Sequence, residues 1–492
     1  MTGSLSAARR WTIVAAALVL AHAGWQGWQV AAAAYPARYE YDEGVYAATA
    51  AAAADGARLY QDAFLSQPPL LVATLAHAYR ALGPSLAVAR GIVVLFSTLW
   101  LAAVFAILAR TGRARAGTLA VCALLGSPAF LAAAHTVQME GPSEALAAAA
   151  VALALRGASR PGVLWWAAAG AAGTLALTTK LTAAACAVPL LGAVLLSPPG
   201  SRARRFAALA GGAALAAAPL LASLPGGALS QVIAFHLAVA RHMGTDPQAR
   251  LAAVRGFLAA NWPLAAAAAW GVGLAAAQRD RRAWIVGTWL GADGAIAMAL
   301  TPLWPHHLAI LLSPLALLAG IGADALAESL ARPAAPRPGP RAAAPSTYAV
   351  LGAAAVLAYL ARGPIAAGVP GSSRDLVHAV AEMTRRLPAD AAVLTDDPMV
   401  PFLAHRRVPP ALADTSVARF RSGDLSLPVL RRALQDSRIG GVLLWRGTLQ
   451  HEVPGVLPAA ATRFAVRVDL GRGRMLLVPR LPPGHRTRGE GR

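Results

Sequence analysis

"SLAVARGIVVLFSTLWLAAVFAILAR", residues 85–110, decides the fold class. The stretch 85–109 is apolar for long enough to cross a bilayer, which takes about 17–25 residues at a helical rise of about 1.5 Å each. Comparable runs occur near 11–33, 117–134, 139–155, 163–178, 182–197, 206–224, 257–277, 283–301, 307–327 and 347–362. The composition agrees: of 492 residues 57% are hydrophobic and only 14% charged, too apolar for a soluble globular chain of this length. The expectation is a polytopic α-helical membrane protein of about 11 spans.

The net charge of +21 raises the question of nucleic acid. The arginines, however, cluster in alternate loops: Arg9/Arg10, Arg110/Arg113/Arg115, Arg156/Arg160, Arg202/Arg204/Arg205, Arg279/Arg281/Arg282 and Arg332/Arg337/Arg341. That is the positive-inside pattern of a membrane protein, so no nucleic-acid partner is expected. The intervening loops carry the acids Glu40, Asp42, Glu43, Asp55, Asp62, Glu140, Glu144 and Asp246. With the N-terminus inside and an odd number of spans, everything after about 363 is expected outside the cytoplasm, in a plasma-membrane protein. The first apolar run is longer than the core of a secretory signal and is read as a retained span. Cys122 and Cys186 fall inside expected spans and offer no disulfide framework.

Two domains follow. Residues 1–362 form the membrane domain, with a first external loop at 34–69. Residues 371–480 read as a small extracytoplasmic α/β domain and 481–492 as a disordered tail. Within the second domain "AAVLT" (391–395) and "GGVLLW" (440–445) have the pattern of buried strands, with the helix "LPVLRRALQD" (427–436) between them. "RFAVRVDL" and "RMLLVPR" flank Gly471-Arg472-Gly473 as a hairpin.

Candidate chemistry lies on the outer side. In "YDEGVYAATA" (41–50) Asp42 is placed to cap a helix, with Glu43 in its first turn. A capping role and a catalytic one are compatible, because a helix start can hold a carboxylate rigidly. "HTVQMEGPSEAL" (135–146) adds Glu140 and Glu144, either a solvated helix start or acids that bind an acceptor. Lys180, in "LTTKLTAAA" (177–185), is the lone lysine among 44 basic residues. It either snorkels to the interface or holds a point charge for an anion such as phosphate. His306 and His307 begin a late span. Adjacent helical positions diverge by about 100° and no third ligand is near in sequence, so polar contact with a ligand is preferred over metal. Asp293 is an acid inside a span, a functional candidate by default. "QVIAFHLAVARHMG" (231–244) is amphipathic, an interfacial helix or a lid.

"YDEGVYA" (41–47), "QPPL" (67–70), "LTTKLTA" (177–183) and "WPHHLAILLSPLALLAG" (304–320), in that order over about 300 residues, resemble the bacterial membrane glycosyltransferases related to protein O-mannosyltransferases and the lipid A aminoarabinose transferase, the GT-C type. Similar proteins often carry lysine where this chain has Gln67, and His-Tyr where it has His306-His307. The resemblance implies transfer of a hexosyl or pentosyl group from a polyprenyl-phosphate donor to a hydroxyl of a protein, lipid or cell-envelope glycan outside the cytoplasm, with inversion. On this reading Asp42 is the general base and Glu43 its helper. Gln67, Glu140, Lys180, His306 and His307 line the substrate site, with Lys180 and His306 neutralising the departing phosphate. A divalent cation could do that instead, and no metal ligand is assigned. A multi-span transporter or lipid flippase is the alternative, but such proteins place functional charges near the midplane. Here most acids lie in external loops.

Overall fold

Apolar, alanine-rich sequence becomes helix from Ala7 to Ala331 in the computed structural model, which describes residues 6–32, 36, 39–160, 162–244, 246–331 and 373–480. The chain order is α1 (Ala7–Ala32), α2 (Tyr41–Ala54), α3 (Leu70–Leu82), α4 (Leu86–Ala109), α5 (Ala114–Leu125), α6 (Pro128–His135), α7 (Glu140–Ser159) and α8 (Leu164–Thr179). A 3₁₀ turn, Leu181–Cys186, leads into α9 (Ala187–Leu195) and α10 (Pro199–Ser223). Then come α11 (Phe235–Met243), α12 (Pro247–Ala260), α13 (Trp262–Ala277), α14 (Arg281–Ala299), a second 3₁₀ turn at Pro305–Leu311, and α15 (Leu312–Ala331). Every apolar run expected between 11 and 327 falls on helical structure. The run 347–362, the Pro- and Arg-rich stretch 331–345 from residue 332 on, and the tail 481–492 lie outside the described residues.

Three helical stretches, Leu86–Ala109, Pro199–Ser223 and Pro305–Glu328, are each long and apolar enough to cross a membrane. Two of the expected straight spans are instead broken: α5 and α6 meet at 77°, α12 and α13 at 87°. The causes are local. Pro128 lacks an N–H and starts α6, where the Ser127 hydroxyl accepts from the Phe130 amide (3.1 Å). Pro263 likewise stands in the first turn of α13, after Asn261, whose side-chain amide donates back to the Phe257 carbonyl (2.8 Å) rather than capping the new helix. The buried Ser127 hydroxyl donates to Asn261 Oδ1 (2.6 Å), so the two breaks satisfy one another inside the bundle.

Helix pairs approach closely at small residues. A Cβ on Gly170 would collide with the Leu209 carbonyl, and one on Gly212 with that of Ala167, so α8 and α10 pack backbone to backbone. The main core runs through α4, α5, α7, α8 and α15, with Trp100, Phe130, Trp166 and Trp289 fully buried.

Residues 373–480 carry a four-stranded sheet of order β1-β2-β4-β3, from β1 (Ala392–Thr395), β2 (Ile439–Leu444), β3 (Val466–Asp469) and β4 (Met475–Val478). β1 and β2 are parallel, joined through the helix Leu427–Gln435; β2/β4 and the β3/β4 hairpin are antiparallel. The strands and the helix stand where the sequence patterns put them. At the C-terminal end of β1, Asp396 accepts from the amides of Trp445 (2.7 Å) and Arg446 (3.1 Å), and Asp397 from the Arg446 guanidinium (2.8 Å). This end of the sheet rests on the first loop of the membrane part.

Candidate active site

The approach to α2 alternates. Tyr39 and Tyr41 point toward the sheet: Tyr39 donates to Asp397 (3.0 Å), and the Tyr41 hydroxyl donates to Asp414 (3.2 Å) while accepting from the Thr415 amide (2.7 Å). Arg446 lies over both rings, 5.9 Å from Tyr39 and 5.2 Å from Tyr41. One turn into the helix, Gly44 faces Met399, and a Cβ there would stand 2.6 Å from the Met399 nitrogen. Only a glycine lets the tail press this closely on the start of α2. Arg419 adds a third contact, 3.6 Å above the ring of Phe64.

Helix capping differs from expectation. Glu40, extended at φ −90° and ψ 154°, occupies the N-cap position without a side-chain cap bond, and Asp42 lies inside the first turn with Glu43. Asp42 is therefore free of capping duty. Its side chain keeps 36% of its surface open although it lies deep in the protein, so it lines a recess rather than the outer surface. Across that recess His306 Nε2 stands 3.7 Å from Asp42 Oδ2 and 3.7 Å from Glu140 Oε1. The Lys180 ammonium bonds the same Glu140 oxygen.

Each partner comes from the end of an element. Glu140 opens α7; Lys180 follows the last residue of α8, where the backbone turns extended (φ −152°, ψ 132°); His306 sits in the 3₁₀ turn before α15. Lys180 is buried at 6%, which rules out snorkelling and makes it a fixed internal cation. Burial drives the Asp42 carboxyl above the ordinary carboxylate range; His306 opposes that shift, and Glu140 and Asp414 add to it. Glu40, beside Asp42, is raised to about 7, first by burial and then by the charge of Asp42.

Of the residues singled out from sequence, Asp42, Glu140, Lys180, His306 and His307 come together. Glu43 does not join them: both of its oxygens accept from Arg90 (2.8 Å each), one also from the Val137 amide (3.0 Å), and its side chain is wholly buried. Gln67 is held by its carbonyl, which accepts from Tyr60 (2.7 Å), and takes part in none of the ion pairs of the cluster. Glu144, one turn into α7, accepts from Ser313 (2.6 Å), which accepts from Trp100 (2.8 Å). Asp293 is buried in α14. The stretch 231–244 is not one smooth amphipathic helix: a π turn at Ser230–Ala234 precedes α11, and Gln231 bonds Leu65 and Tyr60. His236 reaches the Ser66 carbonyl (2.8 Å).

A third potential metal ligand does stand beside the histidines. Glu140, His306 and His307 offer donor atoms within 4.8 Å of one another, a set suited to a divalent transition ion. Lys180 already bonds the Glu140 oxygen, so its ammonium competes with an ion for that ligand.

The sequence reading passed over Glu40, Tyr39, Tyr41, Asp414 and Arg446 as site-forming residues. The Tyr-Glu-Tyr-Asp alternation of 39–42 was a signal; Asp414 and Arg446 sit in a part of the chain without a motif.

The arrangement has relatives. Over 96% of this chain and 98% of the other, the structure superposes on ArnT from Cupriavidus metallidurans bound to undecaprenyl phosphate, with a TM-score of 0.67 at 17% identity. The chain has a GT-C-type glycosyltransferase fold. The structure also superposes on the oligosaccharyltransferase of Archaeoglobus fulgidus in complex with Zn and sulfate, with a TM-score of 0.52 at 13% identity over 92% of this chain and 70% of that one. AglB from the same organism, in complex with an inhibitory peptide and a dolichol-phosphate, gives 0.51 at 12% identity over 93% and 72%. Residues 66–224 match the family described as dolichyl-phosphate-mannose-protein mannosyltransferase. No curated protein sequence matches the chain.

Proposed function

We propose that the chain is a membrane glycosyltransferase that moves a sugar from a polyprenyl-phosphate carrier to an acceptor hydroxyl outside the cytoplasm, with inversion. The observation that carries this reading is the convergence of a part-exposed Asp42 with His306, Glu140 and Lys180 at the ends of four elements of a GT-C fold. Family and fold relatives support the donor class: ArnT holds undecaprenyl phosphate and AglB a dolichol-phosphate.

In the reaction Asp42 takes the proton of the acceptor hydroxyl as its oxygen bonds the anomeric carbon. The bond from that carbon to the carrier phosphate breaks on the opposite face. A carboxyl raised by burial is a stronger base than a free one, and Asp42 has that property. Lys180, held by Glu140, supplies positive charge that stabilises the leaving phosphate, and His306 offers a ring nitrogen beside it. If the site binds a divalent cation, Glu140, His306 and His307 are its ligands, and the ion would add charge neutralisation at the phosphate. Glu43 acts at one remove, by fixing α2 against α4 through Arg90.

The test is Asp42→Asn, which keeps size and removes the base. Transfer from a polyprenyl-phosphate sugar should fall by roughly 100- to 10,000-fold, with donor binding and thermal stability retained. Turnover within a few-fold of wild type would place the base elsewhere, with Glu140, which shares His306 with Asp42, next in line.

A further inference from the structure

A second cavity, of about 290 Å³, lies among residues unrelated to the Asp42 cluster; its walls include Gly157, Arg160, Trp166, Arg204 and Arg205. It is formed by the end of α7, the start of α8 and the start of α10. Glu140 and Lys180 mark the opposite ends of α7 and α8. The 20 residues of α7 span roughly 30 Å, so the two sites lie at opposite ends of that helix. By the arginine pattern this second site faces the cytoplasm.

Arginines at that face need no special purpose, and two of them are neutralised. Arg113 pairs with Asp280 (2.5 Å), and Arg115 with both Asp324 and Glu328. The cavity differs. Arg160, Arg204 and Arg205, and Arg110 and Arg156 behind them, have no carboxylate partner among the described residues. Arg156 and Arg160 lie close enough to Arg110 that their charge, after burial, pushes its guanidinium down from its ordinary value. The Nε atoms of Arg110 and Arg156 and the indole nitrogen of Trp166 are buried donors with no acceptor. Arg205 stacks 5.4 Å over the Trp166 ring and Arg156 4.4 Å over Trp165, which fixes the guanidinium planes. Gly157 makes room: a Cβ there would sit 2.7 Å from the Trp166 nitrogen.

Arg205 donates to the Ser197 hydroxyl (2.5 Å), and guanidiniums without a carboxylate partner beside idle N–H donors are complementary to one chemistry. We propose that this cavity binds a phosphate group, carried either by the headgroup of an anionic lipid or by a soluble phosphate. Guanidinium forks match phosphate oxygens in pairs, and basic pockets between helices on the cytoplasmic side suit lipid headgroups. Binding there ties α7, α8 and α10 together at the ends remote from Glu140 and Lys180.

The test uses the full chain purified in detergent, with phosphatidylglycerol, zwitterionic phosphatidylcholine or inorganic phosphate as probes. Native mass spectrometry should find retained phosphatidylglycerol, with at least tenfold weaker retention in the Arg204→Gln/Arg205→Gln variant. The Arg281→Gln/Arg282→Gln variant, which removes equal charge from another loop of the same face, should bind as wild type does. Trp166→Phe keeps the ring and loses only the N–H; it should weaken retention about threefold, and it serves alone if the double variant misfolds. Competition by millimolar inorganic phosphate, or a phosphate-dependent rise in thermal midpoint lost in the variants, supports the site with a soluble source. Retention of phosphatidylglycerol without such competition supports the lipid headgroup. Equal retention in wild type and the cavity variants with no response to phosphate, equal loss in both double variants, or equal retention of phosphatidylcholine overturns the proposal.

Discussion

Asp42 and Glu43 leave one helix turn about 100° apart, and that angle separates a carboxylate open to a recess from one sealed against Arg90. Removing one partner of a buried ion pair strands the other charge, at about 3–5 kcal/mol. Glu43→Gln should therefore lower the thermal midpoint sharply while the protein that remains folded still binds donor; an unchanged midpoint with lost turnover would return Glu43 to the chemistry. Glu40 makes a different prediction. Its carboxyl rises from 4.5 to about 7 in the folded protein, so between those values the native state holds a proton that the unfolded chain releases. Stability then falls as pH rises through that window. Melting curves across pH 4–8 should show this slope in wild type, and Glu40→Gln should flatten it. Asp42, Glu140, Lys180 and the histidines could be picked from sequence because each is a polar exception at the outer end of an apolar run. The Glu43–Arg90 pair could not, because 47 residues separate the partners and an arginine inside a span resembles many others.

Elements place these residues, and the segment before α2 is held from outside the membrane part. Tyr41 joins the start of α2 to Asp414 and Thr415, and Tyr39 joins it to Asp397. Tyr41→Phe removes one hydroxyl and leaves the ring in place. A misplacement of about 1 Å at a reacting group can cost on the order of 100-fold in rate. The variant should show kcat lowered roughly 10- to 100-fold, donor KM little changed and a normal size-exclusion profile. Wild-type kcat would mean that α2 positions Asp42 without help. The helices and the sheet were legible in sequence, since each carries its own period. The bends at Ser127 and Asn261 were signalled by Pro128 and Pro263, yet a hydropathy reading runs straight through them because the flanking residues stay apolar. What no local pattern encodes is the docking of the tail on the first loop, made by side chains far apart in sequence.

At the scale of the whole molecule, the positive-inside reading puts residues 373–480 and the Asp42 recess on the outer side and the arginine-lined cavity inside. Cys122 and Cys186 are both buried, so native thiols should stay silent toward an impermeant maleimide. In intact spheroplasts Arg438→Cys should label from outside and Arg204→Cys only after permeabilisation; the reverse pattern would invert every loop. The docked tail also sets a schedule. Tyr41 and Asp414 lie 373 residues apart, and at about 5–20 residues per second a ribosome needs roughly 20–75 seconds to get from one to the other. Throughout that interval α2 has been made while the groups that latch it have not. On the proposed function, a half-synthesised chain holds Asp42 without the contacts that fix the start of α2, and becomes competent only when residues 397–415 have been delivered to meet it.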